Sequence, residues 1–254
     1  MWTVLFPNWE SFKYYFFNEK AKEVLNQLIT VPLTFKNTKT TPSHKNFSIS
    51  FGASENPEFF LKAFVPRFFK KNRVKAYLKV IKALKRCKVP LVEPYFLFWK
   101  NPQWAYLKKE SFYGGVIFPF FSKGFLNFKA FTENPNLLDD LVVFLFSLHQ
   151  KGVFVRDTKF YNFYHTEEEG FKIFDLDGVK VYSKPLDKKK RLRDLASLAM
   201  TLEWRGMNDA VKRIWEVYKR FFPGLTEEDF CFFKKQVEKR REKRIKHLAR
   251  RENS

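Results

Sequence analysis

Residues 148–162 read L-H-Q-K-G-V-F-V-R-D-T-K-F-Y-N, so that Asp157 follows an arginine and Asn162 stands five positions later. A carboxylate can take the proton of an acceptor hydroxyl, and an amide oxygen is a hard donor suited to Mg²⁺. Carried on one turn, the two side chains reach one site. Lys159, between them, adds a cation that can meet a phosphate. Further on, F-K-I-F-D-L-D-G delivers Asp175 from an apolar run just before a turn ending at Gly178. A carboxylate there is placed to ligate a Mg²⁺ that bridges terminal phosphates, and Asp177 either supports that ion or forms the turn. Upstream, E-F-F-L-K-A-F sets Lys62 amid apolar residues, where an ammonium can anchor the α- and β-phosphates of ATP, with Lys70 and Lys71 as neighbouring competitors. A base, two metal-holding groups and phosphate-binding cations together make the chemistry of phosphoryl transfer.

These residues need elements to hold them. Runs at 30–36, 46–52 and 58–64 have strand character and are separated by polar turns; the periodicity of 72–86 predicts a helix with Val74, Tyr77, Leu78, Ile81 and Leu84 on one face and lysines on the other. Residues 8–27 read as a helix, and two or three strands are expected within 91–119. In the second half, Leu137, Leu138, Leu141, Leu145 and Leu148 repeat at helical spacing, and Gly152 sits where a C-terminal cap belongs. A hairpin with its loop at 165–170 follows, then helices near 191–204, 208–222 and 226–250. The segment I-F-P-F-F-S-K-G reads as a hinge, giving a strand-rich lobe over 1–118 and a helical lobe over 119–254. The fold class expected is α+β.

The order of helix, Asp–Asn loop, hairpin and metal Asp is that of the protein-kinase site, H-R-D-x-x-x-x-N followed by D-F-G. L-H-Q-K-G-V-F-V-R-D, I-F-D-L-D and R-L-R-D-L-A-S-L resemble the lipopolysaccharide Kdo/heptose kinases, members of the protein-kinase-like superfamily, from about Phe59 to Leu198. The resemblance implies a bilobal kinase fold and ATP with Mg²⁺ as cofactors. It also implies transfer of the γ-phosphoryl group to a Kdo or heptose hydroxyl of the lipid A inner core. Asp157 and Lys159 would then be catalytic, Lys62, Asn162 and Asp175 would hold the nucleotide and metal, and Arg156 and Asp194 would support the loop, Asp194 from behind.

The chain departs from the kinase pattern in three places. No glycine-rich loop exists, and the turn at 37–45 would have to cover phosphates with Ser/Thr hydroxyls and amides. No acid occurs between Ala63 and Val92, so the helix glutamate that pairs with the strand lysine is missing; Tyr77 stands about at its position, and Glu93 or Glu110 are the available substitutes. The histidine of H-R-D is Val155, while His149 reads as a structural residue at a helix end. No A-P-E occurs, and only eighteen residues separate Asp175 from Asp194, which disfavours a peptide-docking platform and favours a small or lipid-linked acceptor.

Composition narrows the classes further. The 254 residues carry 48 Lys/Arg against 27 Asp/Glu, a net charge of +21, and 33 Phe, a ring content that excludes a disordered basic tail protein. Two cysteines and four scattered histidines build neither a zinc site nor a disulfide framework, so a reducing compartment is expected. Pro7 interrupts the only apolar stretch of the N-terminus, so no signal peptide is expected. Basic helices beside Trp2, Trp9 and Phe16 suit an anionic membrane and a polyanionic glycolipid, implying a cytoplasmic protein peripheral at the inner membrane. Nucleic acid is disfavoured because no nucleic-acid module signature occurs. The alternatives are a kinase-like phosphotransferase with another small acceptor, or an inactive pseudokinase serving as a basic anion- or membrane-binding module.

Overall fold

K-Y-Y-F alternates aromatic rings across a short extended run, and in the computed structural model Lys13–Phe16 forms a strand, β1, rather than part of a helix. The helix expected over 8–27 is confined to Lys20–Thr30 (α1), opened by the Asn18 side chain accepting the Ala21 N–H at 2.9 Å. The reason is tertiary: β1 pairs antiparallel with Phe96–Trp99 (β5), and Phe16 lies on Phe96 with centroids 5.8 Å apart, an aromatic pairing that no local helix could make. The structure describes residues 11–68 and 70–252; Trp2, Trp9 and the start of that expected helix lie outside them.

The expected strands appear as Leu33–Thr40 (β2), His44–Phe51 (β3) and Phe59–Phe64 (β4). The 91–119 region supplies β5 and Gly114–Pro119 (β6), with a single-turn helix Pro102–Leu107 between them (α3 here, after the α2 helix Arg73–Arg86). They form one antiparallel sheet of order β1-β5-β6-β4-β3-β2. Alternation decides its faces: Phe35, Ile49, Phe59, Leu61 and Phe96 bury against Ala21, Val24 and Leu28 of α1. Lys62, one residue out of phase with Leu61 and Ala63, lies on the opposite face. Helix α2 starts at Asn72, whose side chain caps the Lys75 N–H at 3.0 Å, and buries Val74, Tyr77, Ile81 and Leu84 as its periodicity predicts, with Leu78 half-buried.

The chain divides into two compact units, one of residues up to Lys79 with Glu93–Ser122, the other of Val80–Val92 with Lys123 onward. Helix α2 passes from the first into the second. In the second unit, Phe128–Glu133 (α4) and Asn136–Gln150 (α5) lead into Val153–Phe154 (β7). Phe163–Thr166 and Gly170–Ile173 (β8, β9) form the expected hairpin, and Lys180–Val181 (β10) pairs antiparallel with β7. Lys188–Glu203 (α6), Ala210–Phe221 (α7) and Glu227–Glu252 (α8) complete it. Segment 80–92 joins this unit through main-chain bonds, Val92 N–H to the Ile173 carbonyl at 2.9 Å and Ile173 N–H to that of Pro90 at 3.1 Å. The α+β division read from the sequence is therefore present, with a six-stranded antiparallel sheet in the first half and helices dominating the second. No helix among the described residues is long and apolar enough to cross a membrane, and Cys87 and Cys231 are free thiols.

Candidate active site

Helix α5 delivers the loop that carries Asp157. Leu138, Leu141, Leu145 and Leu148 bury its inner face, and the helix ends as Gly152 takes a φ of +74°. Any side chain at that position would collide with main chain, because a Cβ there would lie 2.4 Å from the Tyr182 carbonyl oxygen. Gly152 in turn accepts the Tyr182 N–H at 2.9 Å, which fixes where β10 returns beside β7.

The loop is then held from within the helical core. Asp194 of α6, fully buried, accepts the main-chain N–H of Val155 at 2.9 Å and of Arg156 at 2.6 Å, and the Thr158 hydroxyl at 2.5 Å. His149 Nε2 lies 3.2 Å from the same carboxylate, and its Nδ1 is 2.7 Å from the Tyr218 hydroxyl. A charge taken this far from water persists only when its lone pairs are occupied, and here four groups converge on two oxygens. Burial pushes the Tyr218 phenol well above its ordinary range, so its hydroxyl stays protonated against His149. His149 is thus a buried structural residue.

Arg156 itself has a φ of +71°, a left-handed conformation that costs a non-glycine residue of order 1–3 kcal/mol unless its surroundings hold it. Its N–H is held by Asp194, and its carbonyl accepts the guanidinium of Arg240 from α8 at 3.1 Å; the same guanidinium group reaches the Arg193 carbonyl at 2.9 Å. Burial lowers the pKa of Arg240, and the carboxylates of Asp194 and Asp157 work against that shift. Gly178, at φ +90°, leaves room for the Arg156 side chain, whose Cδ would stand 3.4 Å from a Cβ added there.

With the loop so fixed, Asp157 is half-exposed and joined to Lys159 at 2.8 Å. Burial alone would lower the Lys159 pKa, but the hydrogen bond and charge of Asp157, with Tyr161, outweigh it and raise the pKa above the ordinary value. Phe160–Asn162 forms a single 3-10 turn that brings Asn162 back over the loop. Its amide Nδ2 donates to the Asp157 carbonyl at 2.8 Å, an arrangement that does not use the amide oxygen. The Phe174 N–H donates to the Asn162 carbonyl at 3.0 Å, so the residue before Asp175 is stitched to Asn162 by main chain. Asp175 Oδ1 accepts the Asp177 N–H at 3.0 Å, which opens the turn through Gly178 and accounts for part of what Asp177 does there.

Among the described residues no three His, Cys, Asp or Glu side chains converge as a metal cage. The chemistry of the pair Asp175 and Asn162 nevertheless fits Mg²⁺, which takes one or two protein oxygens and completes its octahedron with water and phosphate.

Lys62 belongs to the first unit and is 5% exposed, opposite Asn46 on β3 and Val116 on β6. Its Nζ lies 5.8 Å from the centroid of the Tyr77 ring, so the residue standing at the missing glutamate's position presents a π-face to the lysine. Of the two substitutes read from the sequence, Glu110 is engaged elsewhere, in an ion pair with Lys100. Thr158, Tyr218 and Arg240 carry the loop's support and were not evident from the sequence. Tyr218 and Arg240 lie more than 50 residues from it, and nothing local marks them.

A Stt7 homolog from Micromonas algae, in a crystal soaked with ATP, is similar in structure at 12% identity, with a TM-score of 0.40 over 59% of this chain and 50% of that one. The chain thus spans about half the length of that structure. No protein-family model and no curated protein matches the chain in sequence.

Proposed function

We propose that the protein is an ATP-dependent phosphotransferase of the protein-kinase-like class that phosphorylates a sugar hydroxyl, Kdo or heptose, of the lipopolysaccharide inner core. The observation that carries the reading is the braced loop: Asp157 and Asn162 on one turn, held by buried Asp194, with Asp175 joined to Asn162 through the Phe174 main chain. In this reading Asp157 orients the acceptor hydroxyl and takes its proton as the oxygen attacks the γ-phosphorus and the bond to the leaving ADP breaks. Lys159 holds Asp157 in place and offers its ammonium to the transferring phosphoryl group. Lys62 anchors the α- and β-phosphates. Asp175 and Asn162 are the residues that would hold Mg²⁺, which when bound neutralises charge on the phosphates.

The acceptor class rests on two further observations. Residues 176–187 run directly from the metal turn through β10 into α6, leaving no long segment on which a peptide could lie. The excess of 48 basic over 27 acidic residues suits a polyanionic glycolipid presented on an anionic membrane surface. The test is incubation with Mg²⁺ and γ-labelled ATP on Kdo-containing lipid A core, with Asp157→Asn as control. Label on the glycolipid with the parent chain alone supports the reading. ATP consumption without glycolipid label moves the acceptor to another small hydroxyl compound, and no nucleotide binding at all overturns phosphoryl transfer in favour of an anion-binding module.

A further inference from the structure

Helix α3 is a single turn with its polar work finished locally: Asn101 caps it by accepting the Gln103 N–H at 2.9 Å, and buried Ala105 seats it on the first unit. Three of its side chains stand out into solvent. Trp104 is 63% exposed, Tyr106 42% and Leu107 65%, and Phe68, 55% exposed, packs on Tyr106 with centroids 5.4 Å apart. Four large exposed apolar side chains on and beside one short helix are uncommon on a surface with no partner, because each forfeits the gain of burial. Leu107 and Trp104 are three apart and so share one side of the turn.

The rim of this patch is cationic. Lys108 and Lys109 follow Leu107 and are exposed, Lys109 at a φ of +52° that turns the chain immediately after the wedge. On the other side Arg67, Lys70 and Lys71 flank Phe68, also exposed. The nearest acid in sequence, Glu110, is already neutralised by Lys100. Trp and Tyr favour the boundary between headgroups and acyl chains, an aliphatic tip favours the layer below, and a lysine rim favours anionic headgroups.

We propose that Trp104, Tyr106, Leu107 and Phe68 form a wedge that enters the interfacial layer of an anionic lipid membrane, with the flanking lysines on its headgroups. Single-stranded nucleic acid fits less well, because the most exposed member is an aliphatic side chain that cannot stack on a base and the Phe68 and Tyr106 rings are occupied with each other. The inference rests on the membrane part of the proposed function and not on phosphoryl transfer; its test contains no nucleotide, so either can fail without the other.

The full chain is sedimented with phosphatidylcholine vesicles and with vesicles containing about 30 mol% phosphatidylglycerol, at low and high salt. The parent chain is expected to bind the anionic vesicles, more weakly as salt rises. Trp104→Ser with Leu107→Ser should lower the partition coefficient about tenfold or more at unchanged melting temperature, since these side chains are exposed. Lys70→Gln with Lys71→Gln and Lys108→Gln should weaken binding and flatten its salt dependence. If the double variant melts earlier than the parent, Leu107→Glu alone is read by the same criterion. No binding by the parent, or equal binding by the wedge variants, overturns the proposal. So does loss in those variants of oligo(dT) binding that exceeds vesicle binding, which would make the patch a nucleic-acid surface. A parent dimer that the variants abolish would overturn it in favour of a second copy of the chain.

Discussion

Replacing Asp194 by Asn changes one atom at the centre of the candidate site while keeping the side chain's shape. Each carboxylate oxygen serves one backbone donor and one side chain: Oδ1 takes the Arg156 N–H and the Thr158 hydroxyl, and Oδ2 takes the Val155 N–H and faces His149 Nε2. The side-chain partners can adapt, because a hydroxyl can turn to accept and an imidazole can present its other tautomer. The backbone donors cannot. Whichever oxygen becomes an NH₂ group, one main-chain N–H is left facing another donor at a fully buried side chain. A stranded buried donor costs roughly 1–3 kcal/mol, and the remaining bonds lose the added strength of a charged acceptor, so the expected loss is about 2–4 kcal/mol. For a chain of this size that lowers Tm by about 4–8 °C. Asp194→Ala, which strands all the donors and releases the left-handed Arg156, should cost about 3–5 kcal/mol. Thermal unfolding gives the magnitude and amide exchange gives the place: protection should fall at Val155 or Arg156, and which one reports the orientation of the new amide. An Asp194→Asn chain that melts within about 1 °C of the parent, with both amides still protected, would refute the bracing argument.

Gly152→Ala forces a Cβ against the Tyr182 carbonyl at a positive φ, so the β7–β10 pairing must move; a loss of about 3 kcal/mol or more is expected in denaturant unfolding. Asp175→Ala should lose Mg²⁺-dependent ATP affinity by about tenfold or more while Tm stays near the parent's, as titration with and without Mg²⁺ would show. Asp187 caps α6, and its hydrogen bond to the Lys190 side chain, opposed by slight burial and helped by the Lys190 N–H, holds its pKa below the ordinary carboxylate value. Its folded-state pKa being the lower, its contribution is complete above about pH 4 and is lost as pH falls through the folded value. Asp187→Asn, still a competent cap, should therefore flatten the acid limb of a Tm–pH curve.

The elements that carry the candidate residues were legible because local rules govern them. Leucines at helical spacing and a glycine behind them place α5 and its end, and the Asp157–Asn162 interval is closed by one 3-10 turn whose own bond, Asn162 to the Asp157 carbonyl, is local. Charge and ring content are properties of composition alone. What sequence reading misplaced, it misplaced where a distant partner decides. Residues 13–16 have rings enough for a helix face, but Phe96 and Phe98 offer them a sheet edge, and burial against that edge outweighs local propensity. Nothing in the local sequence showed that the ring of Tyr77 would lie beside Lys62; the α2 register decides it by turning Tyr77 inward with Val74 and Ile81.

The sequence by itself thus determined which groups are available for chemistry, in what order, and on which helices and strands. The tertiary structure decided what holds them. Asp194, His149, Tyr218 and Arg240 reach the loop from four helices, across 36 to 84 residues of chain in the bonds they make to it or to one another. Such contacts leave no local periodicity, because they follow from how helices pack and not from how any one of them is patterned. The same is true of the exposed side chains of α3: exposure is a property of the folded surface.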